Sequence, residues 1–198
     1  MVAEFAEGGI VRDRVQKGEK FDVVINARNM AEDLARQGLV DGALVDIART
    51  SISVAVRSGR PKPDIASLDA IKRTLSDARA ISYSEAGISG LALVGGLEKL
   101  GIAVSFKSKA QAAASGTAAV KLLTDGKAEI AVVQTTSMVG VEGIDVVGRL
   151  PKEMVGDILV TGGVGSGSGQ TAAAADFLKF LASPAALKVI QARGLEAP

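Results

Sequence analysis

The stretch Ala80-Ile81-Ser82-Tyr83-Ser84-Glu85-Ala86-Gly87-Ile88-Ser89-Gly90-Leu91-Ala92-Leu93-Val94-Gly95-Gly96-Leu97-Glu98-Lys99-Leu100-Gly101 decides the fold class. Residues 80–83 are β-prone and short, which predicts a strand. Ser89 then starts an apolar helical run to Leu100, and Gly101 stops it. A strand delivered through small residues into a helix is half of a β-α-β unit, the building block of parallel sheets with crossover helices.

The same event recurs on both sides. Ser115-Gly116-Thr117 opens a predicted helix to Thr124, halted by Asp125-Gly126, and residues 129–134 return as a strand. Upstream, Glu7-Gly8-Gly9 leads into a helix over 10–16 that stops at Gly18. A strand over 21–26 and a helix over 29–36 closed by Gly38 follow. Residues 51–57 read as a strand, residues 58–63 break regular structure, and Ser67 caps a helix through Thr74. Val104-Ser105-Phe106-Lys107 reads as a further strand. Residues 144–147 and 157–160 read as extended around Pro151. Helices over 171–181 and 184–193 close the chain, with Ser183-Pro184 as cap and first-turn proline. The expectation is an α/β chain.

Composition removes whole classes of chemistry. The 198 residues contain no His, Cys or Trp and one Tyr. That excludes a Ser-His-Asp triad, thiolate nucleophiles, His or Cys metal sites and disulfides. Aromatic platforms for single-stranded nucleic acid are equally hard to build. With 23 basic and 22 acidic residues the net charge is +1, which offers no field for a nucleic-acid partner. The N-terminal seven residues have neither the basic nor the apolar region of a secretory signal.

The glycine-rich run Gly163-Val164-Gly165-Ser166-Gly167-Ser168-Gly169 follows a strand and precedes a helix, the context of a phosphate cradle. It lacks the cradle's lysine, Gln170-Thr171 standing where Lys-Ser/Thr is required. Ser168 also breaks the dinucleotide pattern begun by Gly163 and Gly165. It reads as a flexible loop into the C-terminal helix. No G-x-S-x-G nucleophile elbow occurs. The carboxylate pairs Glu32/Asp33 and Glu142/Asp145 read as solvated surface charge. No cofactor and no metal is expected. The recurring small-residue helix starts remain: helix N-termini carry unpaired N–H groups and about half a positive charge, so several facing one cleft bind a small oxyanion or carboxylate through neutral donors.

In this order the motifs resemble the molybdate-binding-type periplasmic solute-binding proteins of ABC transporters. The resemblance rests on Gly18-Glu19-Lys20-Phe21-Asp22-Val23-Val24-Ile25-Asn26-Ala27, on residues 48–57, on Ile88-Ser89-Gly90 through Leu97-Glu98-Lys99-Leu100-Gly101, on Gly126-Lys127-Ala128-Glu129-Ile130-Ala131, and on Phe180-Leu181-Ala182-Ser183-Pro184 through Gly194-Leu195. It implies a two-lobed, type II periplasmic-binding-protein-like fold with mixed, mostly parallel sheets flanked by helices. Residues 1–54 with 157–198 would form the first lobe and 55–156 the second. By the same resemblance the second-lobe ligand contacts fall on Ser89, Gly90, Gly116, Thr117 and Gln134, and the first-lobe contacts on Glu7, Gly8 and Gly9. No catalytic residue is implied. The partners would be a small anionic or polar ligand and an ABC permease of the inner membrane, and the location periplasmic.

Two departures from that family stand out. Gln134 occupies its tyrosine-like position, and the carboxylate of Glu7 stands where hydroxyls would meet molybdate, which widens the ligand class to other small anions and polar molecules. Relatives also begin with a strand, a serine loop and a helix before the segment matching Val2-Ala3-Glu4-Phe5. The expectation is therefore a first lobe short of one strand-helix unit, through a truncated start, remodelling, or completion by a partner such as a second copy of the chain. The alternative function is an isomerase or lyase of a small carboxylic acid on the same scaffold, with Glu7 or Tyr83 as acid/base.

Overall fold

A computed structural model describes all residues, 1–198. The chain forms two compact units, residues 1–50 with 158–198, and residues 51–157. It passes from one to the other after Thr50 and returns after Asp157.

The first unit holds α1 (Gly8–Gln16), β1 (Val23–Ala27), α2 (Arg28–Arg36), β2 (Val40–Thr50), β8 (Ile158–Gly165), α8 (Thr171–Leu181) and α9 (Pro184–Ala192). Its three strands lie in the order β1-β8-β2, both pairings antiparallel. One face packs Val24 and Val40 against Val15 and Leu34 of α1 and α2. The other packs Ile47, Ala48 and Val164 against Ala174 and Leu178 of α8. Central β8 runs straight through the first part of the glycine-rich segment, which is therefore strand as far as Gly165 rather than loop. The reason is space: a Cβ on Gly162 would stand 2.3 Å from Leu178 Cδ2, and one on Gly163 2.4 Å from Val40 Cγ1. Gly162 lets α8 close on one face, and Gly163 leaves room for the β2 side chains Val40 and Leu44.

The second unit holds β3 (Ile52–Arg57), α3 (Leu68–Asp77), β4 (Ile81–Ser84), α4 (Ile88–Lys99), α5 (Ala103–Lys107), β5 (Ala110–Ala113), α6 (Gly116–Thr124), β6 (Ile130–Gln134), a 3-10 turn (Thr135–Ser137), β7 (Ile144–Arg149) and α7 (Lys152–Val155). The sheet order is β5-β4-β6-β3-β7. Strands β5, β4 and β6 are parallel, and β3 is antiparallel to both its neighbours. The α/β class with mixed sheets flanked by helices holds. Parallel pairing is confined to three strands, because β2, β3 and β8 carry the chain out of or into a unit and so run against their neighbours.

Helix α6 lies on one face, with Ala119, Val120 and Leu123 packed on Ala55, Ala131 and Val133. Helix α4 packs on β4 and β6 and against α7. Its Gly96 faces Met154, where a Cβ would stand 2.9 Å from that side chain and backbone.

The expected strand over 104–107 is instead helix α5. Phe106 N–H donates to Ile102 O at 3.0 Å, and Ser105 Oγ to the same carbonyl, also at 3.0 Å. The edge place beside β4 is taken by β5, whose Ala-Gln-Ala-Ala composition carries no strand signal. Between the extended segments on either side of Pro151, residues 152–155 form the single turn α7.

Candidate functional site

In a sheet where β5, β4, β6 and β7 end at the same edge and β3 begins there, the connections leaving that edge share one surface. Such carboxyl edges are where α/β folds bind ligands. Here they carry the first turns of α4 and α6, the turn after β6, and Ser51 before β3.

Each helix start has a local cause. Ser115 caps α6, its Oγ accepting from Ala118 N–H at 3.1 Å. Gly116 follows because a Cβ there would stand 2.3 Å from Ser137 Oγ. Gly87 caps α4 in extended conformation without a side-chain bond. Gly90, in the first turn, lies so close to the end of β4 that a Cβ would fall 1.7 Å from Ser84 O. Helix α4 is thus drawn onto the strand end by the absence of a side chain. Ser89 is buried, Thr117 exposed, and Gln134, the last residue of β6, half-buried. The structure brings Ser89, Gly90, Gly116, Thr117 and Gln134 to one edge of the second unit.

Glu7, Gly8 and Gly9 lie in the first unit. Glu7 is the N-cap residue of α1 and its side chain makes no capping bond. Gly8 and Gly9 form the first turn, held to the sheet by Asn26. That side chain is 3% exposed, donates Nδ2–H to Gly8 O at 2.9 Å and accepts Ala27 N–H at 2.8 Å. The cation that follows, Arg28, is committed to Glu32 at 2.8 Å and Asp46 at 2.5 Å, and buried Thr161 donates to Asp46 at 2.8 Å.

A hydroxyl cluster escaped the sequence reading. Thr135 Oγ1 lies 2.9 Å from Ser51 Oγ and 2.7 Å from Ser53 Oγ, and Thr135 N–H donates to Ser51 O at 2.9 Å. Ser84, at the end of β4, was missed too. The available signal was alternation: Ser51-Ile52-Ser53 and Ser82-Tyr83-Ser84 place serines two apart, on one face of otherwise apolar strands.

Tyr83 points the other way. It is 9% exposed, and its ring meets Phe106 edge-on at 5.3 Å and 74°. Burial, with the charge of Glu85 adding to it, pushes the phenol above its ordinary value. No group of three or more acidic, His or Cys side chains is placed to hold a metal ion.

Residues 1–196 match the family of bacterial extracellular solute-binding proteins. The chain belongs to that family. An aconitate isomerase from Pseudomonas sp. is 32% identical over 188 residues, covering 94% of this chain and 71% of that protein. The periplasmic molybdate-binding protein of Azotobacter vinelandii superposes with a TM-score of 0.75 at 20% identity, covering 98% of this chain and 85% of that one. A periplasmic thiamin binding protein gives 0.75 at 16% identity, covering 96% and 70%. Identities this low establish the binding-protein fold and leave the ligand of this member of the solute-binding family to its own residues.

Proposed function

We propose that this solute-binding protein serves an ABC-type importer, in the periplasm and with a membrane permease as partner, and that its ligand is a small anion bearing carboxylate groups. The observation that carries the reading is the carboxyl edge of β5-β4-β6. Two helix N-termini and a set of Ser and Thr hydroxyls open there, donors that hold an anion without a fixed cation. Ser89, Gly90, Gly116, Thr117 and Gln134 are the proposed contacts in the second unit, and Glu7, Gly8 and Gly9 those in the first. Two features favour a carboxylate over molybdate. Glu7 disfavours a compact dianion pressed against it, whereas an extended acid spreads its charge. The relative at 32% identity is named for a tricarboxylate, aconitate.

The test is a thermal-shift and calorimetric panel of citrate, cis-aconitate, trans-aconitate, malonate, sulfate, molybdate and tungstate. Saturable stabilisation by at least one carboxylate is expected. Stabilisation by molybdate or tungstate alone refutes the carboxylate preference. No response to any anion refutes the anion reading.

The same relative supports a second reading, an isomerase of a small carboxylic acid. Such chemistry needs a group that takes a proton from carbon and returns it. Tyr83 is ill suited: it is buried against Phe106 on the strand face opposite Ser82 and Ser84, and it holds its proton. Glu7 remains as the acid/base. Incubation with trans-aconitate followed by proton NMR distinguishes the readings. Turnover abolished by Glu7→Gln, with binding retained, establishes the enzyme; binding without turnover establishes the transporter component.

A further inference from the structure

Ser84 closes β4 with 1% of its surface exposed, and its Oγ has no hydrogen-bond partner. Its direction follows from its neighbour. Ser82, two residues earlier and on the same face, donates Oγ–H to Ala119 O of α6 at 2.8 Å. Two residues along a strand advance about 6.6 Å, which on a helix running the other way is about four residues. Ser84 is therefore level with Ser115-Gly116, the first turn of α6. In that turn Ser115 Oγ already serves Ala118 N–H, and Ser115 O serves Ala119 N–H. The N–H groups of Gly116 and Thr117 lie at the helix's open end. An orphan buried hydroxyl is thus level with the open N-terminus of α6. Burying such a group without a partner is unfavourable, and an alanine would fill the position without that cost.

We propose that Ser84 is a ligand-contacting residue, whose hydroxyl donates to a carboxylate oxygen of the bound anion at the N-terminus of α6, completing a donor set with Gly116 and Thr117 N–H. The inference rests on the small-carboxylate reading above. It adds a specificity-determining hydroxyl that belongs to neither the α4 turn nor the cluster around Thr135.

The test is calorimetric titration of the full chain with citrate and with cis- and trans-aconitate, for the wild type, Ser84→Ala and Ser84→Thr, with ligand-free melting temperatures. Ser84→Ala is expected to weaken binding about tenfold or more, the loss of a hydrogen bond to a charged acceptor. Its ligand-free melting temperature should equal or exceed that of the wild type, because the deleted group has no intramolecular partner. Ser84→Thr, which keeps the hydroxyl, should recover part of the affinity. An unchanged Kd in Ser84→Ala, with the wild type binding normally, overturns this inference alone. A lowered ligand-free melting temperature accompanying the lost affinity gives the hydroxyl a structural role and also overturns it. A wild type that binds none of the three acids overturns the carboxylate reading and this inference with it.

Discussion

Two glycines five residues apart in α4 should respond oppositely to the same substitution, and the contrast tests whether α4 is docked as described. A Cβ at Gly95 meets nothing within 4 Å, so Gly95→Ala gains helix propensity and loses nothing, a stabilisation of about 0.5–1 kcal/mol. A Cβ at Gly90 falls 1.7 Å from Ser84 O, 2.9 Å from Ser84 C and 3.1 Å from Glu85 O, all backbone. No rotamer change relieves that. The first turn of α4 must retreat by more than 1 Å, and overpacking on this scale costs about 3 kcal/mol or more. At about 2 cal/mol/K per residue the 198-residue chain unfolds with an entropy near 0.4 kcal/mol/K. Gly95→Ala should therefore melt about 1–2 °C higher than the wild type and Gly90→Ala about 7 °C lower. Circular dichroism melts measure both. Calorimetry with whichever acid the wild type binds should show Gly90→Ala weakened and Gly95→Ala unchanged, since only the former moves the helix N-terminus. A Gly90→Ala variant as stable as the wild type would refute the close approach of α4 to β4. A destabilised Gly95→Ala would refute the open position of that residue.

Other outcomes follow from single side chains. Asn26→Ala should cost about 1–3 kcal/mol, since it deletes a buried donor to Gly8 O, and should also weaken ligand binding by loosening the α1 turn; unchanged melting and affinity would show that Asn26 does not hold that turn. As the sole tyrosine, Tyr83 gives an isolated absorbance signal. It should ionise above its ordinary value of about 10 in native protein and near that value in urea. Because its native value is raised, the stability it lends is complete below the unfolded value and is lost as pH climbs through the native one; native and unfolded titrations that coincide would place Tyr83 in water. The carboxylate of Glu129 is held below its ordinary range, first by Arg79 N–H at 2.9 Å and then by the Arg79 guanidinium at 2.6 Å. Its contribution is present above about pH 4.5 and disappears as pH falls through the lowered native value. Arg79 is largely exposed, so Glu129→Gln should change the loss of melting temperature between pH 5 and 3 by only about 1 °C; a change of many degrees would require a far less screened pair.

What was legible in the sequence was whatever announces itself within a few residues. Ser67, Ser115 and Ser183 each cap a helix through a bond to the N–H three residues on. Gly18, Gly38, Gly101 and Gly126, at positive φ, end the helices that precede them. What was not legible depends on partners distant in sequence. The strand β5 exists because β4 offers it an edge, and its alanines need no β-branched packing there. Val104-Ser105-Phe106-Lys107 looks like a strand until Ile102 O and the Tyr83 ring claim it. The glycines of β8 read as a loop because the side chains that demand them, Leu178 and Val40, lie 16 residues later and 123 residues earlier than Gly162 and Gly163 respectively. The helix starts of the candidate site were visible; the hydroxyls that flank them were not, because a serine in a strand says nothing about which helix its face meets.

The absence of His and Cys acquires a different weight once the edge of the second unit is described. Acid/base catalysis at neutral pH needs a group that exchanges a proton near that pH. The only buried titratable side chain with a resolved shift there, Tyr83, moves away from neutrality rather than toward it. Backbone N–H, Ser and Thr donors do not titrate in that range at all. An anion held by them is bound with the same strength across several pH units, provided that its own ionisation is complete. The affinity of this protein for a fully ionised carboxylate should therefore be flat from about pH 6 to 9, while a general-base isomerase shows a limb where its base takes up a proton. Measuring Kd and any turnover of trans-aconitate over that range separates the two functions without a single substitution. A flat affinity with no turnover is the behaviour of a carrier. Turnover of trans-aconitate in that range identifies the enzyme.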